Sequence, residues 1–454
     1  MPYISINPTT GQEMKQYASW DSSKVQEHLD LVQTQYLKWA ELAVSARGEQ
    51  LLKVGDLLLE RKELLARVAA LEMGKPVDQS IEEIEKCIAS LKYFVSVAEE
   101  SLSPKIIKTE FSRSYVTYEP MGIVLGVMPW NFPYWQILRF ALPVLLCGNA
   151  VVVKPSSNIM GCSLELEHIF SDAGFPKNLF SLLPIEIDLV DSVIQDERIC
   201  GVSLTGSVRA GRAVAAQAGR ALKKVVMELG GSDPYVVLAD ADLALAADSC
   251  IKSRFTNSGQ VCVAAKRFIV VDSVKAAFVD ELLKSISGYQ MGDPLESQKM
   301  GPMARTDLRD EVHEQVLQSQ KMGAKILTGG FIPDGPSAFY PPTLVDHVVP
   351  GMPLFDQEVF GPVAAIITAR DEDQAIELAN QSEFGLGACL FTKDLKKGEL
   401  IAAKKLKAGV VNVNKAIRSD VRFPFGGIKN SGFGRELGIE AFREFVNIKT
   451  VIVS

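Results

Sequence analysis

The stretch Phe255-Thr256-Asn257-Ser258-Gly259-Gln260-Val261-Cys262 sets one thiol at the end of a polar loop, shortly before the apolar run Arg267 to Val271. Glycine at 259 lets the backbone bend where a side chain would clash. A thiol displayed on such a turn is a candidate nucleophile; the competing reading is a small buried hydrophobe, the common fate of a free cysteine. The chain has only four histidines, His28, His168, His313 and His347, so a histidine base is poorly supplied. A carboxylate is the better candidate. Glu228 follows Val225-Val226-Met227, at the strand exit where α/β sheets place their sites. Apolar neighbours raise a carboxyl pKa toward the range of a general base, although a solvated strand-end glutamate fits the same residues. Asn131 lies in the rigid loop Pro129-Trp130-Asn131-Phe132-Pro133. It either caps the helix that follows or donates its amide to a developing oxyanion.

A second group of residues suits a nucleotide. Lys154 ends one apolar strand and precedes Pro155-Ser156-Ser157-Asn158. Ser156 or Ser157 can cap the next helix, while Lys154 can reach a ribose or phosphate. The turn Thr205-Gly206-Ser207 opens another helix, and a helix N-terminus with small residues accepts a pyrophosphate. Glu358-Val359-Phe360-Gly361-Pro362 and Pro424-Phe425-Gly426-Gly427 each set an aromatic beside glycine; either is also an ordinary turn.

Residues 21 to 100 carry leucine stripes at helical spacing. Lys105 to Glu119 alternates as a hairpin does. From Gly122 short apolar strands alternate with helices: Ile123–Met128, a helix from Pro133 to Leu146, Ala150–Val153, a helix from Ile159, Ile199–Leu204 and Val225–Met227. After Gly230-Gly231 the alternation restarts, with strands at Tyr235–Leu238, Phe268–Val271, Ala364–Ile367 and Val410–Val413. This texture predicts two α/β domains with doubly wound parallel sheets. Val446 to Val453 reads as a terminal strand without an obvious local partner, which invites pairing with another subunit.

The 454 residues are 47% hydrophobic and 23% charged, with a net charge of −7. That balance is globular and disfavours nucleic acid as a partner. Seven irregularly spaced cysteines without a CxxC pair predict a reduced, cytoplasmic chain and neither a disulfide framework nor a metal site. No apolar run has the length of a membrane span.

Taken together and in order, Pro129-Trp130-Asn131-Phe132-Pro133, Lys154-Pro155, Thr205-Gly206-Ser207, Glu228-Leu229-Gly230-Gly231, Gly259-Gln260-Val261-Cys262, Glu358-Val359-Phe360-Gly361-Pro362 and Phe425-Gly426-Gly427 resemble the aldehyde dehydrogenase superfamily over nearly the whole chain. The resemblance implies a Rossmann-like cofactor domain (1–102 and 121–229), a catalytic domain (230–425), and a bridging element (103–120 and 433–454) that assembles a homodimer or homotetramer. It implies that Cys262 attacks the aldehyde, that Asn131 and the Cys262 N–H hold the oxyanion, and that Glu228 activates water. Relatives that pass the acyl group to coenzyme A tend to lack that glutamate, so the chain looks hydrolytic. Lys154 and Glu358 would hold ribose hydroxyls, with Ser156, Gly206, Ser207, Trp130 and Phe360 lining the cofactor groove. Members that prefer NAD commonly carry Glu where Ser157 stands. A neutral residue there, three positions from Lys154, implies that NADP is accepted or preferred, with NAD as the other cofactor.

Within the family the chain is similar to short bacterial succinate-semialdehyde dehydrogenases, through Ser207-Val208-Arg209-Ala210-Gly211, Gly301-Pro302-Met303-Ala304-Arg305 and Ser431-Gly432-Phe433-Gly434-Arg435-Glu436. In that group an Arg at the position of Arg139 and a Ser at that of Ser419 grip the substrate carboxylate. Trp135, Gln136 and Arg139 share a helix face. Arg139 either offers its planar fork to that carboxylate or pairs with a structural one. The expected substrate is succinate semialdehyde, with glutarate semialdehyde or a medium-chain aliphatic aldehyde as the alternative. A nucleotide-binding protein of the same fold without activity is the further alternative. Some relatives carry a second cysteine after the nucleophile; Val263, Ala264 and Ala265 follow here, so no local disulfide is available.

Overall fold

A computed structural model describes residues 3–454. Two open sheets carry the site. One has the strand order Gly432–Phe433, Lys224–Glu228, Ile199–Thr205, Ile123–Val127, Ala150–Lys154 and Phe180–Leu182. It is parallel except where Gly432–Phe433 runs antiparallel to Lys224–Glu228. The other has the order Lys325–Thr328, Thr343–Asp346, Val363–Ala369, Ala265–Val271, Asp233–Val237, Gly387–Phe391 and Val410–Val413. Only its first pair is antiparallel. Strands such as Ala150–Lys154 and Ala265–Val271 are buried nearly throughout, so helices cover both faces, as parallel sheets require.

The leucine stripes fold as four helices, Ser22–Ala40, Val44–Glu60, Lys62–Met73 and Val77–Leu102. The helix expected from Pro133 begins at Trp135 and runs to Leu146, with every residue buried. Asn131 does not cap it. Glu83 does, from the helix Val77–Leu102: its Oε1 accepts from the Tyr134 and Trp135 N–H groups at 2.9 and 2.8 Å. Glu83 is also ion-paired with the buried Lys75, so removing this carboxylate strips a cap and leaves a buried cation, a loss of about 3–5 kcal/mol.

A third sheet joins Lys105–Ile106, Arg113–Pro120 and Val446–Val453, all antiparallel. The terminal strand therefore has a partner within its own chain, in a register running from Val446 opposite Pro120 to Val453 opposite Arg113. That corrects the expectation that it lacks one. Residues 432–433 belong to the first sheet and not to this one. The hairpin Tyr3–Ile6 with Glu13–Tyr17 had no counterpart in the sequence reading; its short second strand, Glu-Met-Lys-Gln-Tyr, is largely exposed and carries little apolar alternation. No helix among the described residues is long and apolar enough to cross a membrane.

Candidate active site

The helix Leu243–Phe255 delivers the chain into the thiol loop. Asn257, Ser258 and Gly259 follow with φ of 51°, 51° and 75°, the left-handed region that costs non-glycine residues about 1 kcal/mol or more each. Such a backbone persists only if its surroundings hold it. Arg254, fully buried, donates to the Gly259 carbonyl. Ser258 Oγ donates to Gly301 O at 2.8 Å, and Asn257 Nδ2 to Asn131 O at 2.7 Å. Gln260 Oε1 accepts from Ala304 N at 2.8 Å. Lys266 Nζ donates to Cys262 O at 2.5 Å. A Cβ on Gly259 would lie 2.3 Å from the Gly361 carbonyl oxygen, so the Glu358–Pro362 segment is packed directly behind the loop.

Asn131 is buried, and its Nδ2 donates to Gln260 O at 3.0 Å. An amide nitrogen carries two hydrogens, so one N–H remains beside the thiol loop. Cys262 is half-buried. Burial pushes its thiol up to about 11, against the pull of Arg139 and Lys266. Glu228 ends the strand Lys224–Glu228, 2% exposed, and its Oε1 has no hydrogen bond. Burial and then the charge of Glu436 raise its carboxyl well above the usual carboxylate range, while Arg139 and Arg435 pull it down. Burial thus works against the charged form of both groups, and Glu228 lies close enough to Cys262 for its charge to raise the thiol further.

Of the two expectations for Arg139, the structure shows the structural pairing. It is 2% exposed; its Nε is ion-paired with Glu436 and its Nη2 donates to Thr205 Oγ1 at 3.2 Å. The guanidinium lies 5.2 Å over the Phe425 ring. Two of its three nitrogens are committed to structural partners, because a buried cation is stable only when paired. Ser419 is held instead by Lys86, whose Nζ lies 2.5 Å from its Oγ and 4.1 Å over the Trp135 ring. Gln136 is buried beside Trp135, its Oε1 without a hydrogen bond. Lys86 and Lys266 were both missed. Lys86 sits among Glu82, Glu83 and Glu85 and reads as a solvated helix face; Lys266 opens a buried strand and carries no local signal.

The nucleotide candidates lie at the carboxyl ends of three neighbouring strands. Val127 and Lys154 are paired in register, and Met128 N donates to Lys154 O at 3.1 Å. Lys154 Nζ donates to Pro155 O at 3.0 Å, and burial lowers its pKa. Ser156 Oγ contacts Asn158 Oδ1 at 2.7 Å, whereas Ser157 opens a short 3-10 turn and is exposed. Ser207 caps the helix Val208–Arg220, accepting from Ala210 N at 3.3 Å, and Gly206 N donates to Glu228 O at 3.0 Å. Trp130 and Phe360 meet edge to face at 5.8 Å. Glu358 Oε1 accepts from Gly231 N at 2.9 Å and Lys266 Nζ at 3.0 Å. A Cβ at 230 would lie 2.1 Å from Glu358 Oε2, so a larger residue there would displace that carboxylate. Lys154 and Glu358 have separate partners and do not touch one another.

A strapped thiol, a buried carboxyl and an asparagine amide thus lie together beside the strand ends. The chain belongs to the aldehyde dehydrogenase family, which it matches over residues 2–451. It is 43% identical to the NAD(P)+ succinate semialdehyde dehydrogenase Sad of Escherichia coli strain K12, over 99% of this chain and 97% of that one. It is 42% identical, over the full length of both chains, to a probable NADP+ succinate-semialdehyde dehydrogenase of Synechocystis. Among solved structures, succinic semialdehyde dehydrogenase from Streptococcus pyogenes in complex with NADP+ superposes with a TM-score of 0.97 at 33% identity, covering 99% of each chain.

Proposed function

We propose that this aldehyde dehydrogenase oxidises succinate semialdehyde to succinate with NADP, accepting NAD as well. The full-length relatives named for that substrate and cofactor carry the reading. Cys262 gives its proton to solvent, and the thiolate attacks the aldehyde carbon. The Asn131 amide and the Cys262 N–H receive the oxyanion. A bound nicotinamide nucleotide would supply the hydride acceptor. Glu228, ionised at that stage, takes a proton from water, which then releases the acid from the sulfur. Lys154, Ser156, Ser157, Gly206, Ser207, Trp130, Glu358 and Phe360 hold the nucleotide. The fit is supported by Lys154, which has no carboxylate partner within ion-pair distance among the described residues, and by the neutral, exposed Ser157 where a 2′-phosphate needs no repelling charge.

A division into cofactor-binding, catalytic and bridging parts is supported by the three sheets, with Phe433 in the first of them and not in the bridging one. Assembly as a homodimer or homotetramer is supported by the third sheet, whose edge strand Val446–Val453 leaves Ile448, Ile452 and Val453 exposed. A reducing, cytoplasmic setting is supported by seven free cysteines.

The test is reduction of NADP and NAD, followed by absorbance, over a panel of succinate semialdehyde, glutarate semialdehyde and uncharged aldehydes. The highest kcat/KM falls on succinate semialdehyde with NADP. A preference for an uncharged aldehyde overturns the substrate, and no turnover with any aldehyde overturns the activity.

A further inference from the structure

Two donors stabilise an oxyanion only if they aim at one point. Here they come from separate segments: the Asn131 amide from the loop Pro129 to Pro133, and the Cys262 N–H from the thiol loop. The two loops touch directly. Asn257 Nδ2 donates to Asn131 O at 2.7 Å, and Asn131 Nδ2 donates to Gln260 O at 3.0 Å. A third element meets both. Gln79 and Glu83 stand four apart in the helix Val77–Leu102, and so share a face. Glu83 holds the Asn131 side: its Oε1 accepts from the Tyr134 and Trp135 N–H groups, and its partner Lys75 lies 3.9 Å over the ring of Phe132. Gln79 holds the thiol side: its Oε1 accepts from Asn257 N at 2.8 Å, and its Nε2 donates to Lys299 O at 2.9 Å.

We propose that Gln79 is a positioning residue for the oxyanion site. Acting through Asn257, it sets the thiol loop against the Asn131 loop that Glu83 clamps from the same helix face. The inference rests on the reading of Asn131 and the Cys262 N–H as the oxyanion donors.

The choice of Asn257 as the contact point supports this role. It opens the left-handed run, at φ 51°, so the course of the next residues toward Cys262 depends on how its backbone is held. Its side chain is also the group that reaches Asn131 O. Lys299, the other partner of Gln79, leads into Gly301, whose carbonyl accepts from Ser258 Oγ. Gln79 thus bonds both the strained entry of the loop and the segment braced against it. Among the described residues it has no hydrogen bond to Cys262 or Asn131 themselves. Addition to the aldehyde and hydrolysis of the thioester each build an oxyanion at the same carbon, so a shift between the two loops slows either step. Glu83 is the poorer probe of this arrangement, because its removal also strands the buried Lys75. Gln79 is uncharged and half-buried.

The experiment is a double-mutant cycle with succinate semialdehyde and NADP, comparing wild type, Gln79→Met, Asn131→Ala and the two together. Asn131→Ala lowers kcat about 10²- to 10³-fold, the scale of one lost oxyanion donor. Gln79→Met lowers it about 10- to 100-fold, the scale of misplaced reacting groups. Its kcat/KM falls in step, as for an interaction made only in the transition state. In the Asn131→Ala background the same change costs less than about threefold, because the donor whose aim it sets is gone. Alkylation of Cys262 by iodoacetamide, followed by peptide mass, keeps the wild-type rate in Gln79→Met, since that reaction needs the thiolate and no oxyanion site. A loop that has merely come loose changes this rate. Wild-type turnover in Gln79→Met, an equal loss with and without Asn131, or an altered alkylation rate overturns the inference alone. Wild-type turnover in Asn131→Ala overturns the oxyanion reading and the inference with it.

Discussion

The thiol loop and the cofactor rim are held in opposite ways. Around Cys262, buried groups converge both from the loop's own flanks and from distant segments: Arg254, Gln260 and Lys266 bond the backbone from Asn257 to Cys262, while Asn131 reaches Gln260 O, Ser258 ties the loop to Gly301, and Gln260 ties it to Ala304. At the rim, contacts are local and half-exposed, as in Ser156 to Asn158, Lys154 to Pro155 and Ser207 to Ala210. The backbone that carries Cys262 is thus a strained one that the core sustains, whereas the side chains proposed to choose the cofactor are short ones on which little else depends. Changes at the thiol loop should be costly and changes at the rim mild.

Glu228 gives the largest expected effect. Glu228→Gln keeps the size of the side chain and removes its ability to take a proton. Steady-state turnover falls about 10³-fold, within the usual range for losing a general base. The first turnover still yields about one reduced nucleotide per site, because Cys262 attack precedes hydrolysis. Rapid mixing distinguishes this from a collapsed site, which shows no burst.

The thiol itself offers a pH test. With the Cys262 pKa pushed up to about 11, the thiolate is scarce near neutrality. Since only the thiolate alkylates, the free enzyme reacts with iodoacetamide about 100-fold more slowly at pH 8 than an ordinary thiol with a pKa near 8.5. The rate climbs about tenfold per pH unit up to about 11. A plateau near pH 8 would show that the straps present a thiolate at rest. Gly259→Ala attacks the straps directly. The new Cβ meets Gly361 at 2.3 Å and the residue keeps a φ of 75°, so unfolding free energy drops by about 3 kcal/mol in a denaturant titration.

How much of this was legible depends on how local the information is. Cys262, Glu228 and Asn131 each sit in a short segment whose neighbours announce a turn or a strand end, and the strand–helix alternation announced the sheets. Pairings across the chain were not legible. Arg139 meets Glu436 only because Gly432–Phe433 returns to pair with Lys224–Glu228. Glu83 looked like one of several glutamates on a helix, yet it caps a helix some fifty positions on (Tyr134 is 51 residues away). Lys86 was hidden for the same reason. Periodicity says which face of a helix is polar; it does not say which of the polar groups meets another segment.

The smallest effect belongs to the rim. Ser157 is exposed at the start of its 3-10 turn, so Ser157→Glu creates no clash and fits within the existing backbone. The new carboxylate repels a 2′-phosphate and competes for Lys154. Both interactions are partly screened by water, and exposed pairs of this kind contribute about 1 kcal/mol or less. The ratio of kcat/KM for NADP over NAD should therefore shift by about tenfold toward NAD and no further. Because the Debye length contracts to about 3 Å at 1 M salt, the shift should also shrink there. A change of about 10³-fold that resists salt would mean that the rim is as firmly fixed as the thiol loop, and the contrast between the two regions would fail.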